Sequence, residues 1–498
     1  MRDMVMMFIQ NPNPAYISST WRKPTPLLST QKKWSCSPSS SFSLSCSFSS
    51  SVCPRPPLRY AVLGAGFAGL SVAWNLLQHG SRESHLSVDI YDEVGIGGGA
   101  SGVAGGLLHP YSPKVKLLWR GADCWNETLN LLHIAEGALL KLVNKGKCET
   151  LQNNESPIVR RRGILRPVVN LKNMNIMTEN AQNCIANCRI EPIHEDAAQN
   201  LVPNLSVPSN LAFFMPEALN INAQSYLEGL YLACQNLAND MSTLGHVHRE
   251  LHFYQKSVQS LLDLAGAELD GVSKHHKNFL TWFEMLHAVR VFLVNSQNKA
   301  NSTGDYDAVI ICFGARAVFL PELSGKLPLR TCRGIITHLH LGDDIREEYP
   351  KHSPSILSDA WLAVHGAHHM DLGSTWDWKS MNYSRNVTTD EAAKAIEVLL
   401  PKASSVYPAI KNWTVTGAVG GLRAMPPLTA DGSLPLLGCI DDYVDGSETC
   451  KYWLFTGLGA RGLLFHGWLG KLLAQAVLSH DENLIPFELT SWKHKLHQ

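Results

Sequence analysis

The chain has 498 residues, of which 45% are hydrophobic and only 17% charged, and 43 basic side chains balance 43 acidic ones. That length holds ample core for two to four domains, and the composition excludes a disordered protein. Six basic residues (Arg2, Arg22, Lys23, Lys32, Lys33, Arg55) but one acid, Asp3, fall in 1–57, so the remainder carries a net −5 and lacks the bulk footprint of a polyanion binder.

Residues 1–57 come first. Fourteen of the first 53 residues are serine, crowded between Ser35 and Ser51. An acid-poor, serine-rich, weakly basic start reads as a disordered organelle transit peptide. The scarcity of arginine favours a plastid, with the mitochondrion as second choice. The apolar stretch Met4–Ile9 is too short to span a membrane, and no later segment is apolar for the roughly eighteen residues a span needs. A soluble organellar protein is therefore expected. Cysteines outside the leader are scattered, and the one close pair, Cys184 and Cys188, lacks a second pair at zinc spacing. Neither a metal site nor a disulfide scaffold is expected.

The next segment, Arg59–Gly80, reads RYAVLGAGFAGLSVAWNLLQHG. Tyr60–Leu63 is a short strand that leads into Gly64, Ala65, Gly66, Phe67, Ala68 and Gly69. Val72, Ala73, Leu76 and Leu77 then recur at helical spacing until Gly80 ends the helix. A second strand, Leu86–Tyr91, closes on Asp92. Strand, glycines, helix, strand and acid in this order predict a dinucleotide site. Gly64 allows the tight turn, Gly66 lets the backbone approach a pyrophosphate, and Gly69 lets the helix lie on the sheet. The helix N-terminus offers free N–H groups, and Asp92 is placed to accept from a ribose hydroxyl.

The residues beyond Asp92 decide between NAD and FAD. Gly97–Pro110 (GGGASGVAGGLLHP) is a second glycine-rich stretch where an NAD domain would continue to another helix. Small residues here suit a backbone passing beneath an extended cofactor, with Ser101 and free N–H groups as hydrogen-bonding partners. Further on, 305–311 is a buried strand that ends at the Gly314 turn. Tyr452–Thr456 is another, leading through Gly457, Gly459, Ala460, Arg461 and Gly462 into an apolar helix over Leu463–Leu478. A helix N-terminus in that position favours negative charge on a reduced flavin.

Together these stretches resemble the D-amino-acid oxidase-type FAD oxidoreductases over roughly residues 58–480. The resemblance rests on GAGFAG with Asp92, GASGVAGGLLHP, DYDAVIICFGA (305–315), LGSTWDW (372–378), GLRAMPPLTADGSLPLLG (421–438) and FTGLGARGLLFHGWLGKLLA (455–474). The GASG…GLLHP loop is most similar to the flavin domain of the bacterial bifunctional enzyme that matures wobble uridine in tRNA. Glycine- and sarcosine-oxidase-like members come next.

The resemblance implies non-covalent or covalent FAD as cofactor. Candidate contacts are Gly64–Gly69 and Asp92 for ADP, and Ala100, Ser101, Gly105, Gly106, Leu107, Gly314, Gly457, Gly459, Ala460, Arg461, Gly462 and Leu463 for the flavin. It also implies that Arg423 clamps a substrate carboxylate. Three departures stand out: Cys-Phe-Gly at 312–314, no glycine before the middle helix in 218–230, and an expansion over 239–300 around Lys274–Lys277.

Amine oxidation by a flavin needs an oriented α-C–H and an excluded solvent. Arginine suits the orienting task because its planar fork makes two bonds to a carboxylate. Arg423 is the first candidate and Arg461 the second; His109 and His466 either assist proton transfer or are packed. Trp376 and Trp378 are expected in the core, with a substrate lid as the alternative.

The expected architecture is α/β, a Rossmann-like FAD-binding domain (58–125, 215–328, 418–480) interleaved with a smaller α+β antiparallel-sheet substrate domain (126–214, 329–417) and a C-terminal tail (481–498). Thr389–Leu400 is read as a helix with a capping start and Pro401 as its stop. The expected function is oxidation of the C–N bond of a small amine, amino acid or N-substituted glycine, with O2 or an electron carrier reoxidising the flavin. Side-chain oxidation of a tRNA wobble uridine and a non-catalytic, flavin-stabilised protein are the alternatives.

Overall fold

Leu58–Leu63 and Leu86–Tyr91 lie side by side as parallel strands in a computed structural model that describes residues 57–81, 84–142, 158–243, 248–264, 306–342, 349–444 and 450–496. The serine-rich leader, save its last residue, and the Lys274–Lys277 expansion lie outside the described residues. The sheet runs in the order Leu436–Cys439, Lys451–Thr456, Ala308–Ile311, Leu58–Leu63, Leu86–Tyr91, Arg249–Tyr254. Every neighbouring pair is parallel except the first.

Parallel strands need cover on both faces, and alternation along each strand supplies two cores. Tyr60, Val62, Val88, Ile90 and Ile310 pack with four helices, Phe67–His79, Gly121–Leu142, Ala223–Thr243 and Gly462–Ser479. Ala61, Leu63, Val309, Ile311 and Leu454 face the other way, against Leu261, Leu320 and Trp492. The middle helix begins without a family-type glycine because Asn222 caps it, its Oδ1 accepting from Ser225 N at 2.9 Å.

Eight strands form the second sheet, in the order Thr414–Met425, Arg330–His340, His369–Gly373, Trp361–Val364, Ser355–Ile356, Ile164–Pro167, Ala212–Met215, Glu191–Ile193. All neighbours are antiparallel except Ser355–Ile356 with Ile164–Pro167. Its outer face carries a core of its own, covered by the helix Thr389–Ser404. Thr388 and Glu391 cap that helix reciprocally, as the sequence predicts. It does not stop at Pro401, however, but runs one more turn. Pro401 and Glu397 are exposed, so water satisfies the carbonyl the proline leaves free, while buried Leu399 and Ala403 hold the turn down.

Several expected boundaries fall inside elements. The 125/126 boundary cuts the helix Gly121–Leu142, which packs on the nucleotide-side helices, and 417/418 cuts the strand Thr414–Met425. Within the expected C-terminal tail, residues 481–496 pack on the first sheet. Ile485, Leu489 and Trp492 are buried, and Trp492 Nε1 donates to the Leu437 carbonyl at 3.0 Å. Trp492→Ala is expected to cost about 3 kcal/mol of unfolding free energy. A urea midpoint equal to that of the parent chain would show this segment to be outside the cooperative core.

On the second sheet Asp371 joins two histidines, with His338 Nδ1 at 2.6 Å and His365 Nε2 at 2.9 Å. The hydrogen bond to Asp371 raises the pKa of His338, and the two histidines hold the Asp371 carboxyl well below its usual range despite burial. The His338 contribution to stability is thus complete below its unfolded pKa of about 6.5 and is lost as pH rises through the raised value. The Asp371 contribution is lost at the opposite end, as pH falls through its depressed value. The melting-temperature difference between the parent and Asp371→Asn should therefore shrink on going from about pH 6 to about pH 8. A constant difference across that interval would assign the effect of Asp371 to packing.

Among the described residues no helix is long and apolar enough to cross a membrane.

Candidate functional site

Four strands of the first sheet end at one place. Gly64 follows Leu63, Asp92 follows Tyr91, Cys312–Gly314 follows Ile311, and Leu458 and Gly459 follow the strand ending at Thr456; all but Leu63, Tyr91 and Ile311 line one cavity of about 630 Å³. The crevice beyond the carboxyl ends of parallel strands is where open α/β sheets bind ligands. The far wall comes from the second sheet, through Gly334, Ile336, Trp361, Ser374, Gly421 and Arg423.

Two helix N-termini open on this cavity. Gly66, Phe67 and Ala68 begin one helix and Arg461, Gly462 and Leu463 the other, and all six line the wall. Neither N-cap residue supplies a side-chain cap and neither first turn holds an acidic residue, although Ser101 Oγ takes up the Phe67 N–H. Their free N–H groups and positive dipole ends are thus available to an anionic ligand. Between them runs the glycine loop, from which Ala100, Ser101, Gly105, Gly106 and Leu107 line the cavity. A Cβ on Gly105 would lie 2.1 Å from Trp361 Cη2, and one on Gly421 would lie 3.0 Å from Ala100 Cα. The loop is thereby held against the second sheet at Gly105 and Ala100.

These residues fit FAD. The helix beginning at Gly66 and that beginning at Arg461 would hold its pyrophosphate and its flavin, and the loop between them would offer small residues and N–H donors. Asp92 has an additional task that its position in the sequence hides. Its Oδ2 accepts from Ala65 N at 2.9 Å, and Oδ1 from Val94 N and Gly95 N at 3.0 and 2.9 Å. It pins the glycine turn and keeps capacity on Oδ2 for a ribose hydroxyl. Ser101 Oγ similarly accepts from Phe67 N at 3.1 Å.

Gly314 completes the set of expected residues on the wall. Ala65, Gly69 and Gly457 are the expected residues absent from it. Ala65 serves through its bond to Asp92, and Gly69 abuts the Gly64 carbonyl. Gly457 takes φ +74°, where a side chain would be strained.

Arg423 lines the cavity with its donors partly committed. Nη2 donates to the Thr375 carbonyl at 2.7 Å, Nη1 to Ser374 Oγ at 3.3 Å, and the Trp376 ring covers Cζ at 4.0 Å. Trp376 and Trp378 stack at the surface, 49% and 42% exposed, rather than entering the core. Their neighbours explain this, since Arg423 and Arg330 lie over their faces as cation–π partners.

The two histidines part company. His466 is fully buried, its Nδ1 within 3.1 Å of the Gly462 and Leu463 carbonyls and its Nε2 2.7 Å from Tyr226 Oη. Carbonyls only accept, so Nδ1 carries the hydrogen and Tyr226 donates to Nε2. Burial holds its pKa down to about 4, so it is a packed, neutral residue. His109 lines the cavity, and its Nδ1 accepts from Tyr111 N at 3.3 Å. Burial first, then Arg461 and Arg166, hold it well below its usual range, so the neutral ring carries its hydrogen on Nε2. Arg461 is brought down to about 10 by burial and by repulsion from Arg166.

Comparison with known proteins agrees with this geometry. The family model described as FAD dependent oxidoreductase matches residues 59–243 and 259–476. A thiamine biosynthesis oxidoreductase, ThiO, of Rhizobium etli is 41% identical over 80 residues, a match covering 14% of this chain and 23% of that protein's length. The fold is shared with iminodiacetate oxidase from Chelativorans sp. BNC1 (TM-score 0.57, 18% identity, 86% of this chain and 98% of that one). It is also shared with glycine oxidase from Geobacillus kaustophilus (TM-score 0.54, 16% identity, 87% and 98%). With two helix N-termini on one crevice, a glycine loop between them and a family match over most of its length, the chain belongs to the D-amino-acid oxidase-type family of FAD-dependent oxidoreductases.

Proposed function

We propose that the protein oxidises the C–N bond of a small amino acid or N-substituted glycine. The observation that carries this reading is Arg423, a buried-side cation on the wall of the cavity that both helix N-termini face. Bound FAD supplies an acceptor for the hydride leaving the substrate α-carbon, and O2 or an electron carrier takes the electron pair onward. Nε and Nη2 of Arg423 are engaged by Cys332 and Thr375, and the substrate carboxylate is met by the Nη1 N–H that Ser374 leaves free. Trp376 shields that ion pair from water and so strengthens it. His109, with hydrogen on Nε2, acts as a donor rather than a base, so the amine arrives already neutral. The amino-acid and imino-acid oxidases among the structural relatives support the substrate class.

Anaerobic mixing of the FAD-loaded protein with glycine, N-methylglycine, D-amino acids and proline-like imino acids tests the proposal. Bleaching of the flavin absorbance by at least one is expected. A flavin that no member of the panel reduces would overturn the reading in favour of a non-catalytic flavoprotein. One observation favours a larger substrate, the exposed Trp376–Trp378 stack beside Arg330, a surface that suits a nucleobase. An N-substituted glycine on a tRNA wobble uridine is that second reading, and changed wobble nucleosides in organellar tRNA of a knockout would establish it. The composition of the leader supports delivery to a plastid, which a fusion of residues 1–57 to a fluorescent protein would test.

A further inference from the structure

Arg166 and Arg461 are two guanidinium groups with no acceptor among the described residues; Arg461 lines the cavity, and Arg166 is set beside a residue of its wall. Arg166 belongs to the strand Ile164–Pro167, whose parallel register pairs Ser355 with Ile164 and Ile356 with Leu165. Leu357 N donates to the Leu165 carbonyl at 2.8 Å, which carries the register on and sets Arg166 beside Leu357, a residue of the cavity wall. Alternation agrees. Leu165 packs into the outer core of the second sheet, whereas Ile164, on the same face as Arg166, packs toward the nucleotide side. Arg166 Nε is buried without a hydrogen-bond partner among the described residues.

Arg461 lines the cavity, as does His109. Arg166 itself is not on the wall, but it sits beside Leu357, which is, and its charge helps to lower the pKa of both Arg461 and His109. Asp359 offsets part of the Arg166 charge, but it is exposed and forms no ion pair with it among the described residues. The result is a set of donors, two guanidinium groups and the His109 Nε2–H, none of which has an acceptor among the described residues. Such an arrangement is unfavourable in a water-poor site unless an anion joins it. Arg423 is not part of this cluster. It sits on the strand Thr414–Met425 and has its own partners in Ser374, Thr375 and Trp376.

Building on the amine-oxidation reading, we propose that Arg461, His109 and Arg166 form a second anion subsite, and that the substrate is an amino or imino acid bearing a second anionic group, a carboxylate or a phosphate. Arg423 takes one anion and the Arg461 cluster the other, which fixes both ends of the substrate across the flavin. A single-carboxylate amino acid would leave the second cluster unpaired and bind weakly.

Titration of the FAD-loaded protein, read from the perturbation of the flavin absorbance, tests this without turnover. The probes are acetate, malonate, iminodiacetate and phosphoglycolate. Diacids or phosphoglycolate are expected to bind about tenfold or more tightly than acetate, since each charge-assisted bond contributes about that factor. Malonate against phosphoglycolate tells carboxylate from phosphate. Arg166→Met should remove most of the preference and leave acetate affinity within about twofold, with Arg166→Lys restoring part of it. Equal affinities for acetate and all dianions in the parent protein would overturn the subsite whatever the variants do. So would an Arg166→Met effect of the same size on acetate and malonate, which would assign the arginines to the cofactor. Tight dianion binding with no amine able to bleach the flavin would instead support the subsite and sink the oxidation reading.

Discussion

Gly69→Ala is expected to give a chain that retains no flavin, although Gly69 does not touch the cavity. Its Cβ would stand 1.8 Å from the Gly64 carbonyl oxygen and 2.9 Å from the carbonyl carbon. Both are backbone atoms of the turn that Asp92 pins through Ala65, so no side chain can swing aside. The helix must lift from the sheet, taking the N–H groups of Phe67 and Ala68 out of place. Strain of this kind costs upward of about 3 kcal/mol. Gly137→Ala is the matched control, since nothing lies within 4 Å of its Cβ and it is interior to the helix Gly121–Leu142. That change should keep the flavin and add up to about 1 kcal/mol of stability. Flavin absorbance per polypeptide after desalting reads both, and a fully loaded Gly69→Ala protein would refute the close-packed turn.

Replacing Arg423 should separate turnover from cofactor binding. Arg423→Met is expected to lower kcat/KM for a carboxylate-bearing amine by about a hundredfold or more, through loss of a charge-assisted pair, with the flavin content unchanged. Lysine should not restore it, because a shorter ammonium with three donors lacks the planar fork that meets the Cys332 and Thr375 carbonyls, Ser374 and a substrate carboxylate together. An amine without a carboxylate supplies the internal comparison and should be nearly indifferent to the change. Equal losses for both substrates would reduce Arg423 to a brace for the segment 374–376.

The nucleotide half of this site is legible in the sequence because its chemistry is local. Gly64, Gly66, Gly69 and Asp92 lie within 29 residues, and each glycine answers a backbone demand that no other residue meets. The second strand is likewise readable to its ends, as the apolar residues Leu86, Val88, Ile90 and Tyr91 lie between His85 and Asp92. What stays hidden depends on partners far away in the chain. Arg166 in GILRPVV looks like any strand arginine until Leu357, almost two hundred positions later, is placed beside it. Trp361 carries no motif, yet it closes the flavin loop by meeting Gly105 and Gly373. Asp92 is identified by position, but its bonds to Val94 and Gly95 require coordinates. Pro401 misleads because a proline's effect depends on whether water reaches the carbonyl it releases, and exposure is a tertiary property.

A ribosome making this chain builds the middle of a sheet first and its neighbours much later. Leu58–Leu63 finds Leu86–Tyr91 almost at once, but its other edge waits for Ala308–Ile311, which in turn waits for Lys451–Thr456. At about 5–20 residues per second, that first edge stays open on the order of tens of seconds. During that time a row of unpaired backbone groups, flanked by Tyr60, Val62 and Leu63, is a template for any other extended chain nearby. Slow, late-closing pairings of this kind make a nascent protein dependent on chaperones. A premature stop that removes only the last tenth of the chain would therefore leave not a smaller enzyme but a sheet with a permanently sticky side.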